Sequence, residues 1–227
     1  MQFKNKVVVV TGGSKGIGKS LALSFKRNGA QVIICSRNDD EFDSLNKENI
    51  LAVKADVTKE SDLNNLMHIV LEKYGHVDYW INNAGIWMPY SSIEETDWDR
   101  AHELIEVNLF GTIYGSKVAL IQMRKQNFGV IVNILSVRAL GGMAGASAYC
   151  ASKYAANGFT KSLIKEVEGT NIKVLSVYPE KVKTNLFDEK KPENYDDYMD
   201  CDLAANQIVE NLRKEPPNEE LIIRKGD

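Results

Sequence analysis

With 227 residues the chain has room for one or two domains, and a core of that size needs no disulfide or metal to hold it. A balance of 28 basic against 31 acidic residues, a formal charge of −3, excludes an overall basic footprint for nucleic acid. A hydrophobic share of 44% beside 26% charged residues excludes a mainly disordered chain. The three cysteines, Cys35, Cys150 and Cys201, are scattered and form neither a disulfide framework nor a zinc pattern. The run Val7-Val8-Val9-Val10 is too short for a signal segment or a membrane span. The expectation is a cytoplasmic protein with no membrane partner and no nucleic-acid partner.

In chain order, short β-branched runs at 6–11, 31–35, 50–54, 77–82, 130–135, 172–178 and 220–224 read as strands. Most are continuous apolar runs, which suits strands covered on both faces of a parallel sheet. Helices are expected between them at 16–28, 59–74, 96–126, 147–168 and 203–214. A shorter helix is expected to begin at Asn38-Asp39-Asp40, an N-cap followed by an acidic first turn. Repeated β-then-α order predicts a doubly wound parallel sheet with right-handed crossovers, spread over 1–227 as one domain. The polar stretch 183–200 carries Phe187, Tyr195, Tyr198 and Met199. It reads either as a surface loop or as a lid over a substrate site.

The first strand runs into Thr11-Gly12-Gly13-Ser14-Lys15-Gly16-Ile17-Gly18. Glycines there let the backbone approach a ligand, and the following helix offers unpaired N–H groups to an anion such as a pyrophosphate. The spacing is neither that of the common dinucleotide fingerprint nor that of a P-loop. About 20 residues on, where an NAD site places a carboxylate on the ribose, the chain has Ser36 and Arg37. With Lys15 in the turn, that pair of cations matches a 2′-phosphate, so NADP(H) is expected over NAD(H). The alternative leaves Arg37 solvated and gives the ribose to Asp39 or Asp40.

In Tyr149-Cys150-Ala151-Ser152-Lys153 a tyrosine and a lysine lie four apart, one turn along a helix face. A free phenol titrates near 10, too high for proton exchange near neutrality. A neighbouring ammonium is expected to lower it. Ser136 ends a strand, where ligands of open α/β sheets bind, and so does the turn Asn82-Asn83-Ala84-Gly85. Asn108 sits within a long helix, where an amide needs a partner.

Taken together, Thr11-Gly12-x3-Gly16-Ile17-Gly18, Asp56-Val57, Asn82-Asn83-Ala84-Gly85, Asn108, Ser136 and Tyr149-x3-Lys153 resemble the short-chain dehydrogenase/reductases over residues 3–184. The resemblance implies a Rossmann-like three-layer α/β/α fold with sheet order 3-2-1-4-5-6-7. It implies hydride transfer between a nicotinamide and a carbonyl or alcohol carbon, with no metal. By position, Tyr149 becomes the acid/base and Ser136 holds the carbonyl oxygen. Lys153 binds the ribose and acidifies the phenol, and Asn108 holds a water that links Lys153 to solvent. The implied cofactor contacts are Gly12, Ser14, Lys15, Gly16, Ile17, Gly18, Arg37, Asp56, Val57, Asn83, Ala84, Gly85, Tyr149, Lys153, Pro179, Val182 and Thr184. Asp56 and Val57 are expected to flank the adenine, and Asn83 the adenine-side ribose. A homodimer or homotetramer is implied as well.

Two departures from the family pattern stand out. Pro179-Glu180 replaces the usual Pro-Gly, and the usual glycine-rich ending is absent. The short ending is expected to thin the pocket cover or to alter subunit packing. Trp87, Met88, Tyr90, Arg138, Leu140, Met143 and Tyr178 are candidates for shaping a substrate pocket. His68, His76 and His102 have no ligand spacing. The rival readings are a nonenzymatic NADP(H)-binding regulator and a sugar-nucleotide epimerase or dehydratase.

Overall fold

In the computed structural model, residues 3–226 are described. Seven strands form one parallel sheet: β1 Val7–Thr11, β2 Gln31–Ser36, β3 Leu51–Lys54, β4 Tyr79–Asn82, β5 Gly129–Ile134, β6 Ile172–Pro179 and β7 Glu220–Ile223. Their order is β3-β2-β1-β4-β5-β6-β7, as expected. β1 and β4 lie side by side at the centre, with Val8 opposite Tyr79 and Val10 opposite Ile81. The chain departs from β1 in one direction and from β4 in the other. Between their carboxyl ends lies the switch point where such sheets bind ligands.

The helices are α1 Gly16–Arg27, α2 Phe42–Lys47, α3 Glu60–Tyr74, α4 Trp98–Ile105, α5 Gly111–Gln126, α6 Ser147–Glu166 and α7 Cys201–Leu212. They cover both faces of the sheet, and each face has its own core. One core packs Leu21, Phe25 and Ile208 of α1 and α7 against Val8, Val10 and Ile34. The other packs Leu66, Val118 and Leu163 of α3, α5 and α6 against Val7, Val9 and Ile131. This is why the strands are apolar at consecutive positions: β1 is buried at all five residues.

The structure corrects the expected elements in two places. The short helix begins at Phe42, because Asp39 is turned outward to Lys54 at 3.2 Å and caps nothing. The long helix expected over 96–126 is interrupted by a π-turn at Glu106–Phe110, between α4 and α5. Composition alone would let the stretch Trp98–Gln126 span a membrane, but 56% of its most apolar window is buried in the fold.

A buried polar ladder ties the second face together. Trp80 Nε1 donates to Asn82 Oδ1 at 2.9 Å, and Asn82 Nδ2 donates to Ser116 Oγ and to Asn133 Oδ1. Asn133 Nδ2 in turn donates to Thr160 Oγ1 at 2.9 Å. These bonds join β4, β5, α5 and α6. A one-residue slip would leave buried polar atoms without partners, so the ladder fixes how α6 lies on the sheet.

Candidate active site

The glycine turn is shaped by close contact. Gly12 sits at φ +62°, and a side chain there would place Cβ 2.8 Å from the Ala84 Cα. At Gly18 a Cβ would lie 2.4 Å from both Asn83 Nδ2 and the Gly12 oxygen. The turn after β1 is therefore locked onto the turn after β4. Thr11 completes the lock: its hydroxyl accepts from the backbone N–H groups of Asn83 and Ala84 at 3.0 and 3.1 Å. α1 starts immediately afterwards with no side-chain cap and no acidic residue in its first turn. Its open N–H groups and positive dipole end therefore remain available to an anion.

Around this point opens a cleft of about 630 Å³. Gly12, Ser14, Lys15, Gly16 and Ile17 line it from the glycine turn, and Ser36 and Arg37 from the end of β2. Val57 lines it below β3, and Asn83, Ala84 and Gly85 line it after β4. Ser136, Tyr149 and Lys153 lie at its other end, with Pro179, Val182 and Thr184 after β6. The anion-binding turn and the chemistry-bearing side chains thus share one cavity. Ser14 Oγ donates to Ser36 Oγ at 3.0 Å, joining the glycine turn to the end of β2.

Three expected site residues, Gly18, Asp56 and Asn108, lie off the cleft wall. Gly18 does not line the cleft; it is the packing point against Asn83. Asp56 does not line it either, because its Oδ1 accepts from the Thr58 backbone N–H and hydroxyl. Asn83 lines the cleft as expected, and its Nδ2 donates to the carbonyls of Thr11 and Gly12 at 3.0 and 3.1 Å. Asn108 is fully buried. Its Oδ1 accepts from Ile86 N–H at 2.9 Å, and its Nδ2 donates to the Ile86 carbonyl and to Ser152 Oγ at 3.2 Å. Ser152 donates onward to the Tyr149 carbonyl at 2.8 Å. The side chain of Asn108 thus staples the loop after β4 to α6. It sits in the π-turn, where the backbone pattern is broken.

Lys153 is buried, donates to the Ile134 carbonyl at 3.4 Å and has its Nζ 5.9 Å from the Tyr149 ring centre. Burial pulls the Lys153 ammonium down from 10.5 to about 8. Burial also pushes the Tyr149 phenol up to about 12, and the neighbouring Ser136 side chain opposes that rise. This reverses the expected direction, in which Lys153 makes the phenol acidic. In the protein by itself, burial is the largest cause, and the influences that oppose it come from Ser136 and Arg138. Ser136 Oγ accepts from Arg138 N–H at 3.1 Å, which aims the hydroxyl from the tip of β5.

The segment 183–200 folds back over this end. Phe187 meets Trp87 with ring centres 5.1 Å apart and packs edge-on to Tyr195 and Tyr198. Arg100 Nη1 of α4 donates to Glu189 Oε1 at 2.8 Å across the mouth. Trp87 lines the cleft as expected, whereas Met88 is buried against Ala101 and Leu104. Tyr90, Arg138, Leu140, Met143 and Tyr178 do not line it. Tyr178 is fully buried and donates to Asn157 Oδ1. Glu180 lines the cleft, but its backbone N–H donates to the Ile223 carbonyl at 3.1 Å and its carboxylate lies 3.8 Å from Arg224 Nε. Sequence reading missed Arg100, Glu103 and Glu189, all on the cleft wall. Charged residues on a helix and a loop carry no local signal that they will meet.

The short-chain dehydrogenase family model matches residues 6–195. The chain belongs to that family. It is an oxidoreductase of the alcohol–carbonyl type. Meso-2,3-butanediol dehydrogenase of Serratia marcescens is 37% identical over 190 residues, covering 82% of this chain and 75% of the relative. A solved structure described as ElxO with NADP bound superposes with a TM-score of 0.87 at 30% identity, covering 96% of this chain and 97% of that one. A Burkholderia phymatum member of the family in complex with NAD has a TM-score of 0.90 at 21% identity, covering 98% and 90%.

Proposed function

We propose that the chain is an NADP(H)-dependent carbonyl reductase in which Tyr149 is the general acid. The observation that carries this is the shared cavity: a glycine turn with an open helix end at one side, and Ser136, Tyr149 and Lys153 at the other. The residues present fit a nicotinamide dinucleotide. Gly12 and Gly16 take positive φ in the turn that lines the cleft, and α1 offers uncapped N–H groups for the pyrophosphate. At the adenosine end the cleft offers Ser14, Lys15, Ser36 and Arg37. The nearby Asp39 is held outward by Lys54. That donor set suits a 2′-phosphate. NADP in the related ElxO structure is consistent with it.

When bound, NADPH supplies the hydride. Ser136 and Tyr149 donate to the substrate carbonyl oxygen as negative charge grows there. Tyr149 then gives its proton to that oxygen. Burial keeps the proton on Tyr149 at neutral pH but weakens the phenol as an acid, so transfer depends on stabilising the phenolate it leaves. The Lys153 ammonium holds the ribose hydroxyls and stabilises the phenolate that remains. Trp87 and Phe187 form the apolar wall against the substrate.

The test is Tyr149→Phe with a panel of ketones, aldehydes and diols. Turnover is expected to fall by roughly 10²–10⁴-fold, with NADPH binding by fluorescence titration almost unchanged. Retained turnover would remove Tyr149 from the chemistry. If no substrate in the panel consumes NADPH, the nonenzymatic reading gains.

A further inference from the structure

At the mouth of the cleft, Arg37 Nη1 donates to Glu103 Oε1 of α4 at 3.1 Å. Both residues line the cleft, and both side chains are about half exposed. Two other carboxylates near the end of β2 are engaged elsewhere. Asp39 pairs with Lys54, and Glu41 accepts from Lys19 at 2.6 Å. Further along the cleft wall, Glu189 is held by Arg100 and Glu180 faces Arg224. Arg100 lies one turn before Glu103 on α4, and Glu189 takes both ends of its guanidinium. Glu103 makes its hydrogen bond with Arg37, although its charge is also felt by Arg100 one turn away.

We propose that Glu103 is a specificity-determining residue that tempers the preference for a 2′-phosphorylated cofactor. This rests on the NADP(H) reading of Arg37 and Lys15. A guanidinium offers five N–H donors in one plane, and Glu103 already takes one of them at Nη1. A cofactor with a free 2′-hydroxyl meets a neutralised pair and displaces nothing. A cofactor with a 2′-phosphate must pull Arg37 from Glu103 or share it, and its charge is repelled by the remaining carboxylate. Glu103 thus narrows the gap between the two nucleotides. Removing its charge widens that gap by the worth of an exposed ion pair, about three- to five-fold in affinity.

Calorimetric titration with 2′,5′-ADP and with 5′-AMP, which differ by the 2′-phosphate, tests this without turnover. Glu103→Gln is expected to bind 2′,5′-ADP about three- to five-fold more tightly at low salt, with 5′-AMP changed by less than about two-fold. The gain should vanish in the Arg37→Ala, Glu103→Gln double variant. Unchanged or weaker 2′,5′-ADP binding in Glu103→Gln would overturn the proposal, as would a gain that survives without Arg37. Arg37→Ala alone separates the two levels. If it leaves 2′,5′-ADP binding intact, the NADP(H) reading itself fails. If it weakens that binding while Glu103→Gln changes nothing, only the role of Glu103 is lost.

Discussion

The two ends of the cleft are built from opposite materials. The nucleotide end is made of main chain and missing side chains: Gly12 at positive φ, Gly18 pressed on Asn83, and the bare start of α1. The chemical end is made of polar side chains on α6 and beside it, with Lys153 and Asn108 buried and Tyr149 partly so. The first end works by locking two turns together and leaving the start of α1 open. The second works by raising the cost of charge, which is why Tyr149 and Lys153 are both pushed toward their neutral forms. Binding geometry and proton chemistry therefore respond to different kinds of change.

The sharpest test of this contrast is Lys153→Met. Turnover is expected to drop by roughly 10²–10⁴-fold, while stability at pH 7 rises by up to roughly 3 kcal/mol, because a desolvated ammonium is removed. The pH dependence follows the same sign. Between about 8 and 10.5 the unfolded chain holds a proton that native Lys153 has released, so stability climbs with pH in that window. Tyr149 acts oppositely from 10 to about 12: the native phenol keeps its proton and stability falls. Urea unfolding at pH 7, 9 and 10.5 should show the climb in the wild type and a flatter profile in Lys153→Met. A profile unaffected by the substitution would mean that Lys153 is hydrated.

At the other end, Gly12→Ala should cost roughly 2–3 kcal/mol of backbone strain. The thermal midpoint should fall by roughly 5–10 °C, with nucleotide affinity lost as well. Calorimetric melting with and without NADPH measures both; an unchanged midpoint would show that the Ala84 contact relaxes freely. The smallest effect is expected at Arg100→Gln. Its partner Glu189 is half exposed, so stability should move by less than about 1 kcal/mol. Substrate KM should rise a few-fold at low salt and return toward wild type at high salt. A KM insensitive to both would detach this ion pair from the substrate mouth.

Sequence and structure agree best where backbone chemistry is local. Gly12, Gly16 and the run after β1 announce a ligand turn because few other residues tolerate that path. The seven strands are legible because burial on both faces leaves no alternation. The direction of the Tyr149 shift was not legible. A spacing of four places Lys153 nearby, but only the packed fold shows how much water both groups have lost. Asn108 reads as ligand-facing because a polar residue near a cleft invites that reading, whereas its amide is taken up by the Ile86 backbone and by Ser152. Arg37 was visible as a cation; its partner Glu103, 66 residues away, was not.

The π-turn at 106–110 has a further consequence for how this chain can vary. Asn108 grips Ile86 on one side and Ser152 on the other, so its angular position on the helix is fixed at two points. Inserting or deleting one residue between Trp98 and Asn108 would swing that amide by about 100° around the axis. The loop after β4 and the helix bearing Tyr149 would then lose their common anchor together. Length changes should accumulate in the outer loops and spare this stretch, even where its exposed side chains drift.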